Sequence, residues 1–191
     1  LASTEGGNVG ARDAIAELHK ERFAKVFAGI SQILPPELSD ISQSDKTGTQ
    51  NVSDPALYVI VPVLNGARQV IAALTLHVDP AWNLTRIAQT AQPGVSGETY
   101  LFDERGRMIS ESRFTNQLRE IGLVGPNDNS ILNVTITDPN RDLTEGGAPP
   151  NVDALAQMPF TVMAQSALEG HAGNSLKAYR DYRGVPVLGA W

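Results

Sequence analysis

The chain contains no cysteine, which removes disulfides, thiol nucleophiles and thiolate metal sites together and leaves the redox compartment open. Histidine is scarce as well. His19, His77 and His171 are the only three, without metal-ligand spacing, and each is read as a surface or packed side chain. Aromatic residues make up 6%, and no apolar run approaches the roughly 18 residues of a membrane span. Basic residues are outnumbered, 15 Lys and Arg against 21 Asp and Glu, for a formal net charge of −6. A general phosphate-binding surface is not expected on such a chain, and nucleic acid is not an expected partner.

What is present suits a folded protein. Of 191 residues 41% are hydrophobic and 19% charged, enough for one large domain or two modules of about 100 residues, each with its own core. Catalytic signatures are missing. "PGVSGE" is not a nucleophile elbow, because Ser96 is followed directly by Gly97 and then Glu98, whereas the elbow needs Gly-x-Ser-x-Gly. "DPNRDLTEGG" shares with a calcium loop only the spacing of Asp138, Asn140 and Asp142; Leu143 stands where the loop needs glycine, and the twelfth-position Glu is absent. Glu98 and Asp103 are available as an acid and a base, but nothing in the sequence brings them together. Asn51, Asn83 and Asn133 head Asn-x-Ser/Thr sequons, read as chance matches to a short pattern. No catalysis, cofactor or metal is expected, and a hydrolase has no residue set behind it.

The periodicity describes an α+β chain built from hairpins. A helix is predicted over Asn8–Ala28, stopped by Gly29, followed by a short strand "ISQIL" that halts at Pro35-Pro36 and by a polar loop over Ser39–Pro55. "LYVIVPV", Asn65-Gly66 and "QVIAALTLHVD" read as a hairpin whose tight turn uses Asn-Gly. Both strands are apolar on both faces, which predicts a sheet covered on two sides. Thr75, His77 and Asp79 share the more polar face of the second strand, with Tyr58 or its neighbours opposite. A helix starts at Pro80 with Asp79 as its N-cap.

"ETYLFD", a turn over Glu104–Gly106 and "RMISESR" predict a second hairpin with Glu98, Tyr100 and Phe102 on one face. "FTNQLREIGL" is read as a short helix, "ILNVTIT" as a strand and 152–168 as a helix. "LKAYRDYRGVPVLGAW" is read as a third hairpin turning at Arg183-Gly184, with Tyr179, Asp181 and Arg183 at alternate positions of one strand and Arg180 and Tyr182 facing the other way. Element order recurs, but no internal sequence repeat is visible.

"PGVSGETYLFDERGRMISESRF", "SILNVTITDPN" and "YRDYRGVPVLGAW", together with "VFAGISQILPP" and "VPVLNGARQVIAALTLHVDPA", resemble the PAS-like double Cache sensor domains of bacterial transmembrane receptors. The resemblance implies two PAS-like Cache modules, each a small antiparallel sheet flanked by helices. Residues 1–92 would be a partial membrane-distal module with a linking helix, and 93–191 the membrane-proximal one. It further implies a strand preceding Leu1 and another following Trp191. Also implied are an extracytoplasmic (periplasmic) position on an inner-membrane protein, and a cytoplasmic output domain on the same polypeptide: histidine kinase, cyclase, protein kinase or chemotaxis. The partner would be a small-molecule ligand, with a homodimer as a further expectation. The alternative is a ligand-free structural or dimerisation module.

The family usually binds ligand in the distal module, where Tyr58, Thr75, His77 and Asp79 are the candidates; Thr75 packing, a solvated His77 and Asp79 as a cap are the plain alternatives. In the proximal module the candidates are Tyr100, Arg113, Tyr179, Asp181 and Arg183. There Tyr100 and Phe102 are expected in the core, Glu111 and Arg113 in structural pairing, and the Tyr179–Asp181–Arg183 trio is as compatible with a closed salt bridge as with a pocket. An unpaired sheet edge at Trp191 is expected to favour weak self-association.

Overall fold

The computed structural model describes residues 14–38 and 55–191. The predicted helix start over 8–13, the loop over 39–54 and the Asn51 sequon lie outside the described residues. The chain is α+β and divides into two compact units, Leu1–Asp79 and Pro80–Trp191. The helix that opens at Pro80 falls in the second unit. Its Thr85 hydroxyl accepts the Glu111 amide, and the Ala91 carbonyl beyond it accepts the Thr99 hydroxyl.

In the first unit α1 (Ala14–Leu18) and α2 (Lys20–Phe27) are separated at His19, where ψ is +43°. α2 stops as Gly29 predicts. The Gly29 amide bonds to the Val26 carbonyl and the Ile30 amide to that of Lys25, a Schellman end with Gly29 at φ +91°. Three antiparallel strands follow in the order β1-β2-β3: β1 (Gln32–Leu38), β2 (Pro55–Leu64) and β3 (Val70–Val78). β1 does not halt at the prolines. It runs through them with a register shift between Leu34 and Glu37, which an edge strand tolerates because a proline there forfeits no ladder bond on its open side.

Phe23 and Val26 of α2 pack on Leu34 and Ile60, with Tyr58 and Ala73 beside them. The expectation of cover on both faces is corrected here. On the opposite face Ile33, Leu74 and Leu76 are about 60% exposed among the described residues.

The second unit begins with α3 (Pro80–Gln89). The predicted hairpin over 98–113 is paired only around its turn, through the Phe102–Met108 bridge and the Ile109 amide on the Leu101 carbonyl. Beyond Met108, serine and threonine hydroxyls take over the strand's amide contacts: Ser110 accepts from Leu101, Thr85 from Glu111 and Ser130 from Ser112. Side chains of this kind offer the backbone an alternative to a ladder. "ILNVTIT" likewise forms no full strand, only bridges at Thr135 and Thr137, because its start is turned by Leu132 at φ +63°.

After α4 (Thr115–Glu120) and a 3-10 turn at Leu143–Glu145, the predicted long helix is two, α5 (Val152–Leu155) and α6 (Val162–Leu168). Pro159 interrupts it; its carbonyl accepts the Asp138 amide, and Phe160 bridges to Thr137. Asn151 and Thr161 then cap α5 and α6 through their side-chain oxygens. β4 (Asn174–Arg180) and β5 (Pro186–Ala190) close the unit as an antiparallel pair. Met108, Leu118, Ile136, Leu143, Met163 and Tyr182 are among the core residues it encloses.

All three hairpin turns use one device. In each, the side-chain oxygen of the first residue accepts two backbone amides, two and four residues on: Asn65 from Ala67 and Gln69, Asp103 from Arg105 and Arg107, Asp181 from Arg183 and Val185. The fourth residue's amide bonds back to the first residue's carbonyl, and the first residue's amide to the fifth residue's carbonyl. That fourth residue is left-handed each time: Arg68 at φ +61°, Gly106 at +74° and Gly184 at +84°. The Asn65-Gly66 reading is corrected accordingly, since the strained position is Arg68 and Gly66 has no positive φ.

These turns rank three substitutions. Gly66→Ala meets open space and is expected to be neutral or to stabilise by up to about 1 kcal/mol. Arg68→Gly is expected to gain about 0.5–1 kcal/mol by relieving the left-handed cost. Gly184→Ala combines positive φ with a Cβ driven into the Arg141 backbone carbonyl, and is expected to cost about 3 kcal/mol or more. Urea melts of the three variants check the order.

Candidate functional site

In the first unit the register sets Tyr58 opposite His77 and Ile60 opposite Thr75. The Tyr58 and His77 rings lie 5.4 Å apart, tilted at 43°. Thr75, His77 and Tyr58 therefore share the face on which α2 packs; Tyr58 is half-buried beside the α2 contacts and His77 is exposed. Asp79 is exposed at the end of β3. An aromatic ring, an imidazole and a hydroxyl thus stand together on β2 and β3, on the face that also carries Gln32 and Glu37 of β1.

In the second unit Glu98, Ser112 and Tyr182 form one network, and Asp181, Arg183 and Gln117 another. Glu98 Oε1 accepts the Ser112 hydroxyl at 2.6 Å and the Arg113 amide at 2.9 Å, and Oε2 accepts the Tyr182 hydroxyl at 2.7 Å. Ser112 and Tyr182 also touch at 2.8 Å, and Ser112 Oγ accepts the Phe114 amide. Glu111 accepts the Ser130 amide and the Thr115 hydroxyl. Glu98 and Asp103 do not meet as an acid and base: Asp103 is held by its own turn and by Arg107 at 2.8 Å. Arg113 donates to the Gly97 and Gly94 carbonyls, in line with the structural role expected of it.

The alternation of Tyr179, Asp181 and Arg183 along one strand is corrected. β4 ends at Arg180, so Asp181 opens the turn and Arg183 lies inside it. There Arg183 forks onto Asp181 Oδ2 through Nε and Nη2 at 3.0 and 2.7 Å, and donates from Nη1 to Gln117. Its guanidinium lies 3.7 Å from the Phe114 ring centroid, a stack that strengthens away from water. Both side chains of the pair are only 7% exposed. Tyr179 instead meets Trp191 edge to face, and Trp191 donates its indole N–H to Ser166. Arg180 pairs with Asp138 and Asn140.

Tyr100 and Tyr182 meet edge to face at 5.4 Å. Burial pushes both phenols well above their ordinary range, and the Glu98 carboxylate adds to it in each case. Sequence reasoning missed Ser112 and Tyr182 as partners of Glu98, and Gln117 as a partner of Arg183. Tyr182 was assigned to the face away from Asp181 and Arg183, which is true of a strand but not of the turn. The run of serines in "MISES" was the available signal.

Chemically the networks are closed. Among the described residues no buried side-chain nitrogen or oxygen lacks a hydrogen-bond partner, and no group of three or more His, Asp or Glu is placed to hold a metal ion. A cavity bounded by Asn133, Thr135, Thr137, Leu155 and Tyr182, among others, has about 20 Å³, room for one water.

Two measurements follow. Asp181→Asn keeps the turn acceptor, as Asn65 shows, but strands a buried guanidinium; an expected loss of about 3 kcal/mol or more contrasts with about 1 kcal/mol or less for Asp103→Asn, whose partner Arg107 is 28% exposed. Chemical denaturation of both variants gives the comparison. For the phenols, the folded state keeps its proton where the unfolded chain loses it, so stability is full below pH about 10 and falls as pH rises beyond it. Tyr182→Phe is expected to cost about 1–3 kcal/mol at neutral pH and to make the alkaline decline shallower by about 1.4 kcal/mol per pH unit. Denaturant titrations from pH 7 to about 11 would show a parallel decline if Tyr182 were not a contributor.

Among known proteins, no family model, no curated protein and no solved structure matches the chain.

Proposed function

We propose that the chain is an extracytoplasmic sensor domain of two PAS-like Cache modules, which binds a small molecule and passes the signal to a cytoplasmic output domain on the same polypeptide. The reading rests on the phrases that resemble that family. It assigns no bond-making step to the chain. Among the described residues no helix is long and apolar enough to cross a membrane, so the membrane attachment in this reading belongs to segments outside them.

The observation that carries the ligand assignment is the Tyr58–His77 pair at 5.4 Å with Thr75 on the same sheet face. A half-buried ring beside an imidazole and a hydroxyl provides an apolar wall with hydrogen-bonding groups at its rim, the mixture small-molecule sites use. In the second unit Asp181, Arg183 and Tyr182 are consumed by one another, by Gln117 and by Glu98. The first unit is therefore the better place for a ligand.

A second reading, a ligand-free structural or dimerisation module, is favoured by a different observation. The aliphatic sheet face of the first unit opposite α2 stands open, with Leu74 and Leu76 about 60% exposed.

A thermal-shift screen against small polar metabolites separates the two. A ligand at about 100 times its Kd adds about 2.7 kcal/mol, which for a chain of this length raises Tm by about 5–10 °C. His77→Ala and Asp79→Ala are expected to weaken that shift, with His77→Ala leaving the unliganded Tm within about 2 °C, since an exposed substitution costs little. A library without a single shift would favour the second reading, and a hit indifferent to both variants would remove the ligand from the Tyr58–His77 face.

A further inference from the structure

The open face of the first unit's sheet is continuous. Ile33, Val59 and Leu76 form one row across all three strands, because Ile33 pairs with Val59 and Val59 with Leu76. Val61 with Leu74, Leu57 with Val78 and Val63 with Ala72 add rows on the same side. No polar or charged side chain interrupts these rows. Ile33 is 62% exposed, Leu74 59% and Leu76 60%, against 0% for Ile60 on the α2 side.

We propose that this face docks on the same face of a second copy of the chain, sheet against sheet. Three features select that occupant. First, residues 1–13 and 39–54 offer only Leu1, Val9, Ile41 and Val52 as large aliphatic side chains to set against it. Second, the face carries no charge, so a charged partner would bury unpaired groups against it, whereas an identical uncharged face is complementary by symmetry. Third, the area suits a weak pair. Three strands about 4.8 Å apart and some nine residues long present a face of about 400 Å². Two such faces stacked about 10 Å apart bury about 800 Å², below the roughly 1,200 Å² of stable specific pairs and in the range of weak, transient ones. The dimer is therefore concentration-dependent, and because each copy carries −6 it strengthens as salt screens the repulsion. The inference stands on the sheet alone and holds whether or not a ligand binds.

The test is sedimentation of the full chain from about 1 to 500 µM, at low and high salt. Self-association that rises with concentration and salt is expected, with Leu76→Lys, and independently Leu74→Lys, abolishing it while the far-ultraviolet circular dichroism stays unchanged. Because the chain has no cysteine, a single Leu76→Cys gives an unambiguous probe for a short bismaleimide cross-linker. It is expected to yield cross-linked dimer several-fold above Leu176→Cys, placed on β4 at 87% exposure. A chain that stays monomeric throughout, or association that survives both lysine variants, overturns the proposal. Association lost on Leu176→Lys instead moves the contact to the second unit and overturns it equally.

Discussion

The turn Asp181–Val185 is the constraint on which the second unit depends. One carboxylate closes it: Asp181 Oδ1 takes the Arg183 and Val185 amides, while Oδ2 takes the Arg183 fork. With the backbone set, the two residues inside are aimed at separate parts of the unit. Tyr182 enters the core and binds Glu98 and Ser112, and Arg183 stacks on Phe114 and reaches Gln117 of α4. The Arg183 carbonyl accepts the Leu143 amide, and Gly184 lets the Arg141 backbone approach where no Cβ fits. Segments more than 80 residues apart, Glu98 and Tyr182, are thereby joined at one point.

The same device recurs with different consequences. At Asp103 the second carboxylate oxygen holds Arg107, partly exposed, so the turn is locally stable but joins less. At Asn65 the amide nitrogen donates to the Gln69 side chain, and no ion pair forms. The burial of the guanidinium separates them: a charge removed from water must be paired and hydrogen-bonded, so the Arg183 turn commits the surrounding helix and strands in a way the other two do not. The polar residues of the second unit are consumed by this commitment, whereas those of the first unit stand on a sheet face with an exposed imidazole. The functional reading therefore leans on the first unit.

Much of the architecture was legible. The α+β class, the helix stop at Gly29, the β2–β3 pair and the final hairpin follow from period, glycine placement and turn chemistry. What misled was local. "NG" is a strong turn signal, yet here Asn65 acts through its side-chain oxygen and the left-handed position falls on Arg68. Apolar residues on both faces of β2 and β3 were read as cover on both sides, and one side stands open. Hydroxyl side chains at Ser110, Thr85 and Ser130 replaced backbone ladder partners, which a pattern of alternating apolar residues does not register.

By itself the sequence determined the excluded chemistry of a cysteine-free chain, the strand and helix periods, and the two Asp-x-Arg-Gly turns, because these depend on residue type and near neighbours. Only the tertiary structure decided that Glu98, Ser112 and Tyr182 meet, that Arg183 closes on Asp181 and Phe114 instead of facing a ligand, and that Tyr58 stands beside His77. Apart from Asp181 with Arg183, two positions apart, those contacts join residues from 14 to 84 positions apart, as Glu98 with Ser112 and Glu98 with Tyr182 do. Hydrogen-bond partners at such distances are set by strand register and by which buried groups remain unsatisfied once the core has packed, and neither is encoded in any single stretch of chain.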